Sequence, residues 1–231
     1  MALPPPQLQH AQDVARAIVG QAKGLVVAGI TEIELSHEID RIAAQHGSSG
    51  MWSPTTSRVG LGTLIAHPEF PMQDRVAQGG DTCIIDVACT VDGWCGDYCE
   101  TLLVGGDEQP GVAVAASGES ASALSASALI AECREVAALL RAEIRPGMPA
   151  SELFRFAADL LHRRNLKLLD LLDNIGHSIG EDFASDGFID ADNHLPMYGG
   201  WTIEPHVGRS ARGAKFEDII WLDRDGSVTV V

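Results

Sequence analysis

Ile84-Ile85-Asp86-Val87-Ala88-Cys89-Thr90-Val91-Asp92-Gly93-Trp94-Cys95-Gly96-Asp97 is the stretch on which the fold turns. Two strand-like runs flank Asp92-Gly93, a pair that supplies the positive φ of a two-residue hairpin. With Val91 opposite Trp94, the register sets Asp97 opposite Ala88. Side chains alternate along a strand, so Ala88 and Asp86 share a face. Asp86 and Asp97 become diagonal neighbours, about 7–8 Å apart at Cα. Two carboxylates projecting from mid-strand among Ile, Val, Cys and Trp repel each other unless a cation lies between them. A shared divalent ion is expected there.

Further donors follow downstream. His177 lies in Ile175-Gly176-His177-Ser178-Ile179-Gly180, between small residues that allow close approach. Glu204 lies in Trp201-Thr202-Ile203-Glu204-Pro205 and Glu217 in Lys215-Phe216-Glu217-Asp218, each within a strand-like apolar run. Any one of them alone reads as a core histidine or a strand-edge charge. Four carboxylates and an imidazole together form an oxygen-rich set suited to two hard or borderline divalent ions.

Composition narrows the partners. The chain has 231 residues, 45% of them hydrophobic, with a net charge of −16, which disfavours phosphate backbones and anionic membrane surfaces. No apolar run is long enough to span a bilayer, and Met1-Ala2-Leu3-Pro4-Pro5-Pro6 lacks the features of a signal peptide. A cytoplasmic location is expected, and a homodimer is left open. Five cysteines, with no Cys-x-x-Cys pair among Cys83, Cys89, Cys95 and Cys99, read as buried thiols rather than a disulfide framework or a zinc site.

Periodicity predicts helices over about 7–28, 31–46, 129–144 and 150–165, the second opened by a capping box at Thr31-x-x-Glu34. Strands are expected around 61–67, 82–91, 94–104, 174–179, 201–207, 215–222 and 227–230. Gly29-x5-Leu35 recurs as Gly147-x5-Leu153 at an offset of 118, and Arg16 with Arg134 and Asp86 with Glu204 share that offset. The order helix, Gly turn, helix, strands occurs twice. An α/β fold of two related halves, about 1–116 and 117–231 of one catalytic domain, is expected, with its site where they meet.

These residues resemble the pita-bread metallopeptidases: methionine aminopeptidases, prolidases and Xaa-Pro aminopeptidases. That family's signature is two Asp residues eleven apart, a Gly-His-Gly-Ile-Gly-like stretch, Thr-Ile-Glu-Pro and a terminal Glu. Asp86 and Asp97, His177, Glu204 and Glu217 fill those positions with the family's own residue types. The resemblance runs from about 15 to 222. It implies a curved antiparallel sheet covered by helices, and two divalent ions (Mn, Co, Fe or Zn) held by Asp86, Asp97, His177, Glu204 and Glu217. The short interval between Glu204 and Glu217 is more like the prolidase and Xaa-Pro side. His67, in Ala66-His67-Pro68, matches the family's substrate-contacting histidine.

Three positions depart from that pattern. Ala184 stands where a second substrate histidine is usual, Glu100 where a basic residue commonly precedes Thr101, and Lys215 where prolidase-like members carry Arg. The resemblance implies hydrolysis of an amide or peptide C–N bond in a small peptide or amide substrate. Asp86 and Glu217 would bridge the ions, Asp97 would complete one, and His177 with Glu204 the other. Glu204 would also carry a proton, and His67 would orient substrate. A specialised small-molecule amidohydrolase of the ectoine-hydrolase type, or a non-catalytic binding module on the same fold, are the alternatives. His206, two residues after Glu204 in an extended segment, is placed on the same face and is a candidate to replace the missing histidine.

Overall fold

The computed structural model describes residues 3–66, 71–106 and 121–231. His67 lies outside them. Helix α1 (Pro6–Ala22) begins with proline in its first turn, where the missing N–H costs nothing. Leu8, Ala11, Val14, Ala15, Ile18, Val19 and Ala22 recur at helical spacing and are buried. The helix stops short of residue 28. Residues Lys23–Leu25 form a 3-10 turn, and the β-branched pair Val26-Val27 does not favour another helical turn. Helix α2 (Glu32–Gln45) carries the expected capping box: Glu34 N donates to Thr31 Oγ1 at 3.1 Å and Thr31 N donates to Glu34 Oε2 at 3.0 Å. Thr31→Ala is expected to cost about 1 kcal/mol, read as a lower midpoint in denaturant unfolding.

Strands β1 (Gly50–Met51), β2 (Thr56–Val59), β3 (Thr82–Val91) and β4 (Trp94–Leu103) form an antiparallel sheet. In it β3 pairs with the other three. The hairpin has the predicted register, with Val91 opposite Trp94, Ala88 opposite Asp97 and Asp86 opposite Cys99. Asp92 and Gly93 have φ of 49° and 81°, the left-handed pair that a tight turn between twisted strands requires. The strand expected at 61–67 is instead a 3-10 turn over Gly60–Leu64. Gly60 has φ of 55°, and a Cβ on Gly62 would lie 2.0 Å from Glu32 Oε1, so these glycines serve a tight turn rather than a strand.

Helices α3 (Ala121–Glu143) and α4 (Ala150–Arg163) open the second half, and α4 lies 118 residues after α2. Strands β5 (Lys167–Leu168), β6 (His177–Ile179), β7 (Phe183–Phe188), β8 (Gly199–Ile203), β9 (His206–Arg209), β10 (Arg212–Lys215), β11 (Asp218–Leu222) and β12 (Val228–Val230) follow. They make a five-stranded sheet, β12-β11-β8-β6-β7, and a three-stranded one, β10-β9-β5. The strand expected at 201–207 is broken at Glu204-Pro205, because proline cannot donate to a ladder. The segment expected at 215–222 breaks at Phe216-Glu217. Both breaks carry a candidate ligand. Strand β7, Phe183-Ala184-Ser185-Asp186-Gly187-Phe188, lacks a regular apolar alternation and escapes the hydrophobic pattern.

The core has two main clusters. Leu35, Ile39, Ile85 and Val87 lie where α1 and α2 pack on the first sheet, while Leu140, Leu153, Trp201 and Ile220 fill the second half. All five cysteines are buried and unpaired. Among the described residues no helix is long and apolar enough to cross a membrane.

Candidate metal centre

Backbone pairing brings the five predicted donors together from distant parts of the chain. Asp86 faces Cys99 across the hairpin, and Cys99 pairs in turn with Glu217: Glu217 N donates to Cys99 O at 3.0 Å and Cys99 N to Glu217 O at 3.3 Å. Glu217 is thereby set beside the two aspartates. Glu204 N donates to Ile175 O at 2.9 Å, and His177 N to Thr202 Oγ1 at 3.0 Å, which ties the His177 and Glu204 segments together. Gly176 permits this approach, since a Cβ there would lie 2.2 Å from Thr202 O. The buried Gln12 of α1 clamps Asp97 from behind, donating to its carbonyl at 2.7 Å and accepting from its N–H at 2.8 Å. No local motif marks Gln12. Only its polar character on the apolar face of α1 could have drawn attention to it.

His177 Nε2 lies 3.4 Å from Asp97 Oδ2, 3.5 Å from Glu204 Oε1 and 3.9 Å from Glu217 Oε1. Donors about 2.1 Å from a shared ion in tetrahedral array are separated by about 3.4 Å, so these spacings fit one ion. Asp97, His177 and Glu217 each offer one atom within 4.8 Å of the others, and all three are buried. His177 Nδ1 donates to Ser178 O at 3.1 Å, which leaves Nε2 available to ligate an ion, the usual arrangement of a metal-binding histidine. Both carboxylate oxygens of Glu217 are buried, and Oε2 lies 2.8 Å from the Lys215 ammonium. Burial pushes the Asp97 carboxyl well above the usual range, and Asp86 adds to it. Glu217 is raised in the same way, by burial and then by Asp97. Two buried acids side by side repel unless a cation lies against them, which is the chemistry of a metal-ligating donor set.

Asp86 stands apart from that trio. Lys215 Nζ lies 2.7 Å from Asp86 Oδ2, 2.9 Å from Glu204 Oε2 and 2.8 Å from Glu217 Oε2. Burial alone would lower the lysine, but the three acids outweigh it and hold Lys215 well above its ordinary range. Glu204 ends below the usual carboxylate range although burial pushes it up, because Lys215 and His177 favour its charge. The sequence marks Lys215 only as a weaker replacement for Arg, with nothing to indicate that its ammonium reaches into the acid cluster.

His206 is buried and lines the same cavity as Glu204 and Asp86. Its Nε2 donates to Thr63 O at 2.7 Å, and burial lowers its pKa to about 4, so it is neutral at pH 7. That is not the readily charged proton donor sought in place of Ala184. Ala184 itself lies in β7 with φ of 53°. Glu100 is turned to a separate ion cluster, 2.7 Å from Lys23 Nζ and 3.1 Å from Arg134 Nη2.

The donors lie on a cavity of about 410 Å³, a size usual for small-ligand sites. Its wall beside the donors is aromatic. Phe183 meets the His177 ring at 4.5 Å between centroids and stacks on Trp52 at 4.8 Å, and Phe188 also lines the space. Sequence reading missed all three, because isolated aromatic residues in loop-like or polar segments carry no periodic signal.

The sequence profile of metallopeptidase family M24 matches residues 6–224, nearly the whole chain. The chain belongs to metallopeptidase family M24. Among curated relatives, the probable dipeptidase PepE of Mycobacterium bovis is 28% identical over 209 residues, covering 89% of this chain and 51% of that protein. The chain thus spans about half the length of that relative. Among solved structures, a prolidase from Pyrococcus furiosus has a TM-score of 0.80 at 18% identity, over 97% of this chain and 62% of that one. Methionine aminopeptidase from Thermotoga maritima has a TM-score of 0.76 at 17% identity, over 100% and 98%. The fold is the pita-bread fold of the M24 family, as the resemblance implied.

Proposed function

We propose that this M24 chain is a metal-dependent hydrolase that cleaves the C–N bond of short peptides, of the dipeptide or Xaa-Pro type. The observation that carries the reading is the buried Asp97–His177–Glu217 trio, with Glu204 beside it, on the wall of a partly aromatic cavity. Similarity to a probable dipeptidase and, in fold, to a prolidase supports this choice of substrate class.

Asp97, His177 and Glu217 would hold the ion, with Glu204 as the neighbouring fourth donor. A bound divalent ion would supply Lewis acidity and a water of lowered pKa. Glu204, held below the usual carboxylate range by Lys215 against the effect of burial, would accept the proton of the attacking water and pass it to the leaving nitrogen. Trp52, Phe183 and Phe188 exclude water and suit an apolar or ring-shaped side chain next to the scissile bond. His67, outside the described residues, is given the substrate-orienting role that the family resemblance implies. His206 acts as a neutral imidazole in the cavity wall, fixed by Thr63.

The test is a hydrolysis assay on chain that has been stripped of metal and reloaded with Mn, Co or Zn. The panel comprises Xaa-Pro dipeptides, other dipeptides and N-acyl amino acids. Metal-dependent release of free amino acid from a dipeptide is expected, and chelator should abolish it. Loaded protein that turns over N-acyl amino acids but no dipeptide would favour the small-molecule amidohydrolase reading, which Ala184 already encourages. No turnover of any of them by metal-loaded protein would overturn both.

A further inference from the structure

Glu204 and Glu217 each direct one oxygen to either side. Their Oε1 atoms face His177 Nε2 at 3.5 and 3.9 Å, and their Oε2 atoms face Lys215 Nζ at 2.9 and 2.8 Å. The pair of glutamates therefore separates two cation positions. On one side stand Asp97 and His177, and on the other stand Asp86 and the lysine.

A lysine ammonium carries three N–H donors and no acceptor. Here it meets three carboxylates at 2.7–2.9 Å and donates to Asp86 Oδ2, so its surroundings are those of a bound cation rather than of a passing surface charge. The side chain is 14% exposed, and its last backbone position is pinned by Thr101, whose Oγ1 accepts from Lys215 N and donates to Lys215 O, both at 2.7 Å. An ion on that side would need oxygens at about 2.0–2.2 Å in the space that the ammonium fills. Lys215 would have to leave a buried, triply paired position, and breaking such a pairing is costly.

We infer that this chain binds one divalent ion, on the Asp97–His177–Glu217 side, and that Lys215 permanently occupies the second cation position with Asp86 as its counter-ion. This deepens the metal-dependent reading above and rests on it. It replaces the expectation of two ions with one ion and one built-in charge. Lys215 is then a positioning residue that keeps Glu204 and Glu217 turned with Oε1 toward the ion.

The experiment is a titration of the stripped, full-length chain with Mn(II), read by calorimetric stoichiometry and by the electron paramagnetic resonance spectrum. Wild type is expected to saturate at one ion per chain and to show the hyperfine pattern of isolated Mn(II). Lys215→Met is expected to double the stoichiometry, with the broadened spectrum of two coupled ions. Two ions in wild type would overturn the inference and leave the metal-dependent reading standing. No specific ion in wild type would overturn that reading itself. A Lys215→Met chain that still takes one ion would show that the lysine does not bar the second. Should that variant fail to fold, the wild-type stoichiometry and spectrum decide the matter alone.

Discussion

Asp97→Ala is expected to abolish metal-dependent turnover while leaving the chain folded. Asp97 is buried, 3.4 Å from His177 Nε2, and its backbone is held by Gln12 whatever the side chain. Changes in the outer shell of metal sites typically cost ten- to a hundredfold in affinity or activity, so loss of one direct donor should cost on the order of a hundredfold or more. The effect on stability runs the other way. Burial and Asp86 push the Asp97 carboxyl up, so the metal-free fold carries this group at a cost. Removing it should leave the metal-free melting temperature unchanged or higher, a familiar trade between a functional site and stability. Metal content and thermal unfolding with and without Mn test both halves of the statement. A variant that still takes up Mn with wild-type affinity would remove Asp97 from the ligand set.

Trp201→Ala should be among the most destabilising single changes in the molecule. Trp201 is fully buried in β8, lies opposite Ile220 of β11 and Ser178 of β6, and donates through Nε1 to Tyr198 O at 3.0 Å. Truncating a buried tryptophan typically costs about 3–5 kcal/mol, from lost transfer energy and the cavity left behind. For a chain of this length that corresponds to a fall in melting temperature of roughly 10 °C. Calorimetry on the metal-free protein measures it without interference from ligand binding. A shift of only about a degree would mean that the second-half core closes around the gap.

The hairpin that carries Asp86 and Asp97 is legible in the sequence because its determinants are local. Asp92-Gly93 permits essentially one hairpin register, and alternation then dictates which face Asp86 and Asp97 share. The capping box at Thr31 is likewise a contact between near neighbours in sequence. What stayed hidden depends on pairing between distant segments. The Cys99–Glu217 bridge, the Gln12 clamp and the approach of Lys215 to Asp86 join residues from 85 to 129 positions apart. The apolar residues after Gly60 suggest a strand, but Gly60 and Gly62 serve the tight turn of Gly60–Leu64. His206 lines the same cavity as Glu204, and its partner, Thr63 O, comes from that turn.

The donor set is drawn from both halves of the chain: Asp97 from the first hairpin, His177, Glu204 and Glu217 from the second half, with the Cys99–Glu217 pairing as the seam. Neither half presents the full set alone, so the proposed ion would recognise only the assembled molecule. Its binding energy is therefore coupled to folding. Each tenfold rise of free ion above its dissociation constant adds about 1.4 kcal/mol to the stability of the joined halves. Scarcity of metal would loosen the seam before it loosened either core, and the protein's persistence in a cell would follow the supply of its ion.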